Sequence, residues 1–241
     1  MLNKDNLIQY FSDGIKLKGS EKIGTEHEKF IYSKKDLSLI PFHGERSISA
    51  VLKKFIENSW DPIIEDEQIV GATKNQASIT LEPGGQFELS GAPLNNLHET
   101  CREINDHLSF TKSLEEEFDI GFLGIGYIPL GNFNDMPKVP KKRYQQIMTP
   151  YMKKIGGLGL GMMYQTCTVQ ANFDFTSESD MAKKVNVSAA LQPLATALFA
   201  NSPFKNGNIN GYLSYRSIIW DNTDKDRTGI LPDMLDKNFS F

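Results

Sequence analysis

Residues Ser78–Ser90 read SITLEPGGQFELS. Ile79 and Leu81 alternate with polar residues before Pro83-Gly84-Gly85, and Phe87 and Leu89 alternate after it. Period-two alternation on both sides of a Pro-Gly-Gly turn predicts an antiparallel hairpin with one apolar face. Glu82 and Glu88 then fall on the opposite, wet face.

The segment Lys22–Tyr32, KIGTEHEKFIY, repeats the arrangement as a single strand. Residues two apart in a strand point the same way. Glu26 and Glu28 therefore share one face, and Ile23, Thr25, His27 and Ile31 take the other. For this pair alone a solvated strand face is a sufficient explanation. The hairpin adds two more acids on the wet side of a sheet whose other side is core. Four carboxylates offer hard oxygens, which suit Mg²⁺ or Mn²⁺ rather than zinc.

Tyr164–Phe175, YQTCTVQANFDF, also alternates. Thr166, Thr168, Gln170, Asn172 and Asp174 line one face, and Cys167, Val169, Ala171, Phe173 and Phe175 line the other. The amides of Gln170 and Asn172 can ligate a hard cation or orient a substrate. Gly211–Trp220 reads as another strand carrying Arg216, followed by the loop DNTDKDRTG with Lys225 and Arg227. Such cations are what a nucleotide triphosphate and a carboxylate substrate require. Acids, amides and arginines together on alternating strands suggest phosphoryl transfer under metal control.

Helices fill the intervals. Residues 4–14 form a short one. Gly44–Trp60 is amphipathic through Ile48, Val51, Leu52, Phe55 and Ile56. Leu94–Phe118 should bury Leu97, Cys101, Ile104 and Leu108, and Phe118–Pro129 should be a buried strand. Arg143–Lys154 is helical and closed by Gly156 and Gly157. The run GGLGLG follows no strand and lacks the G-x-G-x-x-G spacing, so it is no phosphate loop. Thr176 or Ser177 caps a helix over Glu178–Phe199, with a kink at Pro193. No repeat or linker interrupts the chain. Hairpins and isolated ladders between helices, rather than βαβ units, predict an α+β fold with a mainly antiparallel sheet.

Composition bounds the partners. The 241 residues carry a net charge of −4, which argues against nucleic-acid binding. The basic stretch Lys138–Arg143 reads as a solvated loop. Two cysteines without a CxxC pair, and four scattered histidines, make no zinc motif. No window approaches ~18 apolar residues, so no membrane span is expected. The polar N-terminus MLNKDNLIQYFSDG lacks leader character, and the expectation is a cytoplasmic protein.

Five motifs occur in order from about Glu21 to the last residue: GTEHEKF, ITLEPGGQFELSGAP, TCTVQANFDF with SESDM, LQPLATALFANSPF, and SYRSIIWDNTDKDRTG. Together they resemble glutamate–cysteine ligases of the plant and alphaproteobacterial type. The resemblance implies a glutamine-synthetase-like fold, in which an antiparallel sheet curls into a funnel flanked by helices. It implies ATP-dependent ligation of the γ-carboxylate of L-glutamate to L-cysteine through a γ-glutamyl phosphate, the first step of glutathione synthesis. Mg²⁺ (or Mn²⁺) and ATP would be required. Glu26, Glu28, Glu82 and Glu88 would hold metal, and Gln170, Asn172 and Arg216 would contact substrate. Arg216 and Arg227 would serve the chemistry, and Lys225 with Arg227 the nucleotide.

The same resemblance makes residues 1–241 a single incomplete catalytic domain, the N-terminal half of a longer ligase. Two points set the chain apart. Gln165 stands where many resembling sequences carry Arg. Cys101, in LHETC, matches a stretch tied to redox control in the plant enzymes, with a partner beyond residue 241. A related ligase with another amine acceptor, and a truncated non-catalytic binding module, stay open as alternatives.

Overall fold

The computed structural model describes residues 2–236 and 238–240. The chain opens with helix α1 (Lys4–Asp13), strand β1 (Ile23–Ser33) and helix α2 (Ile48–Glu57). Strands β2 (Asp61–Glu65), β3 (Gln68–Lys74), β4 (Ala77–Leu81) and β5 (Phe87–Ser90) form a meander. It leads into α3 (Leu97–Phe118) and β6 (Ile120–Leu123). A π-helical stretch, Arg143–Met148, runs into α4 (Thr149–Ile155) and α5 (Gly159–Gln165). Strand β7 (Val169–Phe173), the long α6 (Glu178–Leu198), a small ribbon of β8 (Phe204–Lys205) and β9 (Asn208–Ile209), and α7 (Tyr215–Asp221) follow.

The main sheet runs β2-β3-β4-β5-β1, every pairing antiparallel. Strand β1 is its axis. One edge pairs with β5, Glu28 opposite Glu88. The other edge is shared end to end, by β7 over Ile23–His27 and by β6 over Phe30–Ser33. The architecture is mixed α and β with a mainly antiparallel sheet that does not close on itself among the described residues.

The predicted hairpin is β4–β5, with Ile79 opposite Leu89 and Leu81 opposite Phe87. These four side chains are fully or nearly fully buried and face Ile48, Val51, Leu52 and Phe55 of α2. Ser47 caps α2, its hydroxyl accepting from the Ala50 N–H at 3.2 Å, so the helix starts four residues after the expected Gly44. A second core gathers Phe30, Tyr127, Met163, Tyr164, Cys167, Tyr215 and Ile219. The Pro83-Gly84-Gly85 turn joins the two. A Cβ on Gly84 would run into the carbonyl of Tyr164. Beside it, Gln86 Nε2 donates to Met163 O at 3.2 Å and Thr166 O at 2.8 Å.

Four expectations are corrected. Gly211–Trp220 is not a strand: Arg216 lies on helix α7. Tyr215 and Ile219, four apart, turn together into the second core, a helical spacing. Tyr164–Phe175 is a strand only over β7, because Tyr164 and Gln165 end α5. Helix α3 buries Thr100, His107, Thr111 and Leu114, whereas Leu97 and Leu108 are exposed and Ile104 is half-buried. Cys101 is therefore exposed and not a core residue; Cys167 is buried, and both are free thiols. Helix α3 packs on β1 and β6, and Leu114 is its fully buried apolar side chain, with Phe110 and Phe118 partly buried against the same core. The strand expected over Phe118–Pro129 is shortened to β6. The β2–β3 hairpin turns on Asp66 and Glu67, both with positive φ. Neither residue is a strong signal for that turn, and this part of the sheet is not legible in the sequence. No described helix is long and apolar enough to cross a membrane.

Candidate active site

The acids lie on the sheet face opposite α2, where the alternation puts them, but that face is not open to water as expected: Glu88 is buried and Glu28 and Glu82 are half-buried. Glu28 projects from β1, Glu88 stands opposite it on β5, and Glu82 follows β4 directly. Like charges directly opposite across a ladder repel, so each carboxylate needs local support. Glu88 accepts from Ser90 Oγ at 2.8 Å and from Thr80 Oγ1 at 3.0 Å. Glu82 accepts from the Tyr144 hydroxyl at 3.2 Å. Glu28 accepts from the Thr168 N–H at 3.0 Å.

That support is incomplete. Burial, then the charges of Glu82 and Glu88, push the Glu28 carboxyl up to about 8, against the pull of the Thr168 N–H and of Arg216. Burial and Glu88 also raise Glu82, while Tyr144, Lys141 and Arg143 oppose the rise. The three acids thus form a nest of negative charge with too little positive charge around it. Arg216 reaches it from α7. Burial lowers its guanidinium and the Glu28 charge holds it up. Its Nε is buried without a partner and its guanidinium lies 5.4 Å from the Trp220 ring centre.

Glu26 belongs to an adjoining polar patch. Cross-strand register sets it beside Gln170. Gln170 Nε2 donates to one of its oxygens, and Asn172 Nδ2 donates to the other at 2.8 Å. The sequence-predicted amides and this acid are therefore brought together. Lys225 and Arg227 are not brought to them. Arg227 pairs with Asp224 at 3.3 Å and lies 5.4 Å from the Tyr151 ring centre, and Lys225 is exposed on the same turn. Gln165 is buried, its amide 3.5 Å from the Gly131 carbonyl.

Tyr144 and Lys141 border the candidate site beside Glu82, and the sequence reading missed them. Lys141 is half-buried and donates to the Leu81 carbonyl at 3.0 Å; burial lowers its ammonium, against the pull of Glu82, Glu65 and Glu88. The expectation of a solvated loop over Lys138–Arg143 thus fails at Lys141. The available signal was a lysine three residues before a tyrosine that enters the core.

Among the described residues, no three Asp, Glu, His or Cys side chains converge as a ready-made metal cage. The donor set nonetheless suits Mg²⁺, which keeps several waters and takes one or two carboxylates plus substrate phosphates.

The profile of Glutamate-cysteine ligase family 2 matches residues 22–241. The chain belongs to that family. A chloroplastic glutamate–cysteine ligase of Medicago truncatula is 53% identical over all 241 residues, which align to 47% of its length. Chloroplastic glutamate–cysteine ligase A of Oryza sativa subsp. indica is 51% identical across 48% of its length. The chloroplastic enzyme of Arabidopsis thaliana is 51% identical across 45%. The chain spans about half the length of these glutamate–cysteine ligases. Their names overturn the cytoplasmic expectation, since each of these family members is chloroplastic.

Proposed function

We propose that the acid-bearing face of β1, β4 and β5 is the metal and phosphate side of a glutamate–cysteine ligase active site. The carrying observation is the nest of Glu28, Glu82 and Glu88 opposite Arg216, in a chain about half identical to such ligases. In this reading residues 1–241 are the N-terminal half of the catalytic domain, and the sheet is part of a glutamine-synthetase-like funnel. The outer edge of β7, without a partner strand among the described residues, supports that reading. The relatives' names favour a plastid.

The reaction is ligation of L-glutamate to L-cysteine. The γ-carboxylate of glutamate attacks the γ-phosphorus of ATP, and ADP leaves. The cysteine amine then attacks the acyl phosphate carbon, and inorganic phosphate leaves. Mg²⁺ or Mn²⁺, when bound, neutralises phosphate charge. The chain's own groups do the rest by position and charge. Glu28, Glu82 and Glu88 offer oxygens to the cation, and Glu26 adds a carboxylate from the adjoining patch. Gln170 and Asn172 orient Glu26 and can turn their amides to substrate. Arg216 faces the anionic substrate groups, and Lys225 and Arg227 offer charge to the triphosphate from their exposed turn.

Mn²⁺ titration followed by electron paramagnetic resonance tests the acidic floor without requiring turnover. Saturable binding is expected, weakened at least about tenfold by Glu88→Gln. Unchanged Mn²⁺ affinity in that variant would sink the assignment. For the ligase itself, γ-glutamylcysteine should form from glutamate and cysteine only with ATP, and other amino acids should replace cysteine poorly.

A further inference from the structure

Residues Arg143–Met148 are π-helical, a rare geometry that is frequent at functional sites where it does occur. Tyr144 lies on this stretch. Its side chain is 6% exposed and belongs to the core shared by α2 and the β4–β5 hairpin. Lys141 Nζ stands 5.3 Å from the ring centre and the Arg143 guanidinium 6.0 Å. A close-packed ring holds its hydroxyl in one place.

That place lies between two acceptors, the Leu81 carbonyl at 3.1 Å and Glu82 Oε1 at 3.2 Å. A phenol has one proton to give. The Leu81 carbonyl already accepts from Lys141 Nζ at 3.0 Å. Glu82 Oε1 has no other donor among the described residues, and a bond to a charged acceptor is the stronger of the two. The Tyr144 proton therefore goes to Glu82, and Lys141 frees it by serving Leu81.

The carboxylates differ in what this leaves over. Both oxygens of Glu88 are engaged, one by Ser90 and the other by Thr80. Glu82 is held through Oε1 alone. Its Oε2 takes no hydrogen bond among the described residues, and solvent reaches it. Glu28 is likewise held through Oε2 by the Thr168 N–H, and its Oε1 is open.

We propose that Tyr144 is a positioning residue for the divalent cation. Its hydroxyl fixes Glu82 Oε1, so that Oε2 is presented to the ion beside the open oxygen of Glu28. Groups that hydrogen-bond a metal ligand set its orientation and weigh on affinity almost as the ligand does. This role rests on the reading of Glu82 as a metal carboxylate.

Tyr144→Phe keeps the ring and its packing and removes only the oxygen. Mn²⁺ titration of the chain, followed by electron paramagnetic resonance, reads the effect without turnover. Tyr144→Phe should lose about tenfold or more in Mn²⁺ affinity, and Glu82→Gln at least as much. The double variant should stay within about twofold of Glu82→Gln, because Tyr144 acts through Glu82. A tyrosine that only supports the fold would lower the urea midpoint and leave the affinity of the folded protein unchanged. Affinity within about twofold of the parent in Tyr144→Phe, with Glu82→Gln weakened, overturns the positioning role and leaves the metal reading standing. Losses that multiply in the double variant overturn it too. Parent-like affinity in Glu82→Gln, or no saturable binding by the parent, overturns both.

Discussion

Glu28→Gln makes the protein more stable at pH 8 and, in the full ligase, lowers turnover at least about 100-fold, the scale of losing a key electrostatic contact. Both effects have one cause. The Glu28 carboxyl sits at about 8 in the fold against an ordinary 4.5. As pH rises, the unfolded chain gives up this proton first. Below 4.5 both states hold it and the group contributes nothing. Between 4.5 and 8 the folded state binds the extra proton, so stability falls with rising pH; above 8 the full penalty is present. The upper bound is about 5 kcal/mol at 1.36 kcal/mol per pH unit. Urea unfolding in chelator at pH 5, 6, 7 and 8 measures the decline. It should flatten in Glu28→Gln, and Mg²⁺ should offset it in the parent protein. An equal slope in both proteins would falsify the assignment of the strain to Glu28. Burial, then the neighbouring carboxylates, thus cost stability at the proposed site, a familiar trade.

Phe55→Ala is expected to destabilise the fold by about 3–5 kcal/mol, the range for deleting a large buried ring. Phe55 is 1% exposed and contacts the rings of Trp60, Phe87, His107 and Phe110. Deleting it leaves a void where helix α2 meets the apolar face of the β4–β5 hairpin. That hairpin presents Glu88 on its other side, so the loss spreads to the acid floor. Denaturant unfolding reads the change; a loss under about 1 kcal/mol would show that α2 is not the main support of the sheet.

The sheet's polarity was legible because alternation is a local signal. Glu82 and Glu88 each sit one residue from a core side chain, Leu81 for the first and Phe87 and Leu89 for the second, whereas the neighbours of Glu26 and Glu28 on β1 are only half-buried. The amphipathic stripe of α2 was legible for the same reason. Long-range packing was not. Helix α3 presents Thr100, His107 and Thr111 to the sheet and leaves Leu97 and Leu108 outside, a choice made by the strands beneath it. Arg216 reaches Glu28 from a helix where aromatic and β-branched neighbours suggested a strand. Tyr144 supports Glu82 from 62 residues away in sequence, a distance no local pattern spans. The alternation alone marks Gln170 and Asn172 as amides able to reach metal or substrate; the strand register adds that they hold Glu26.

Strand β1 is addressed by three partners at once, β5 along one edge and β7 and β6 along the other. A strand with a free edge can absorb an inserted or deleted residue in a bulge; this one has no such slack between Ile23 and Ser33. A one-residue slip would exchange Glu26 and Glu28 for His27 and Lys29 on the site face, removing two of its four carboxylates in a single genetic event. Change within this segment is therefore restricted to substitution at constant length, and engineered insertions belong in the loops that flank it.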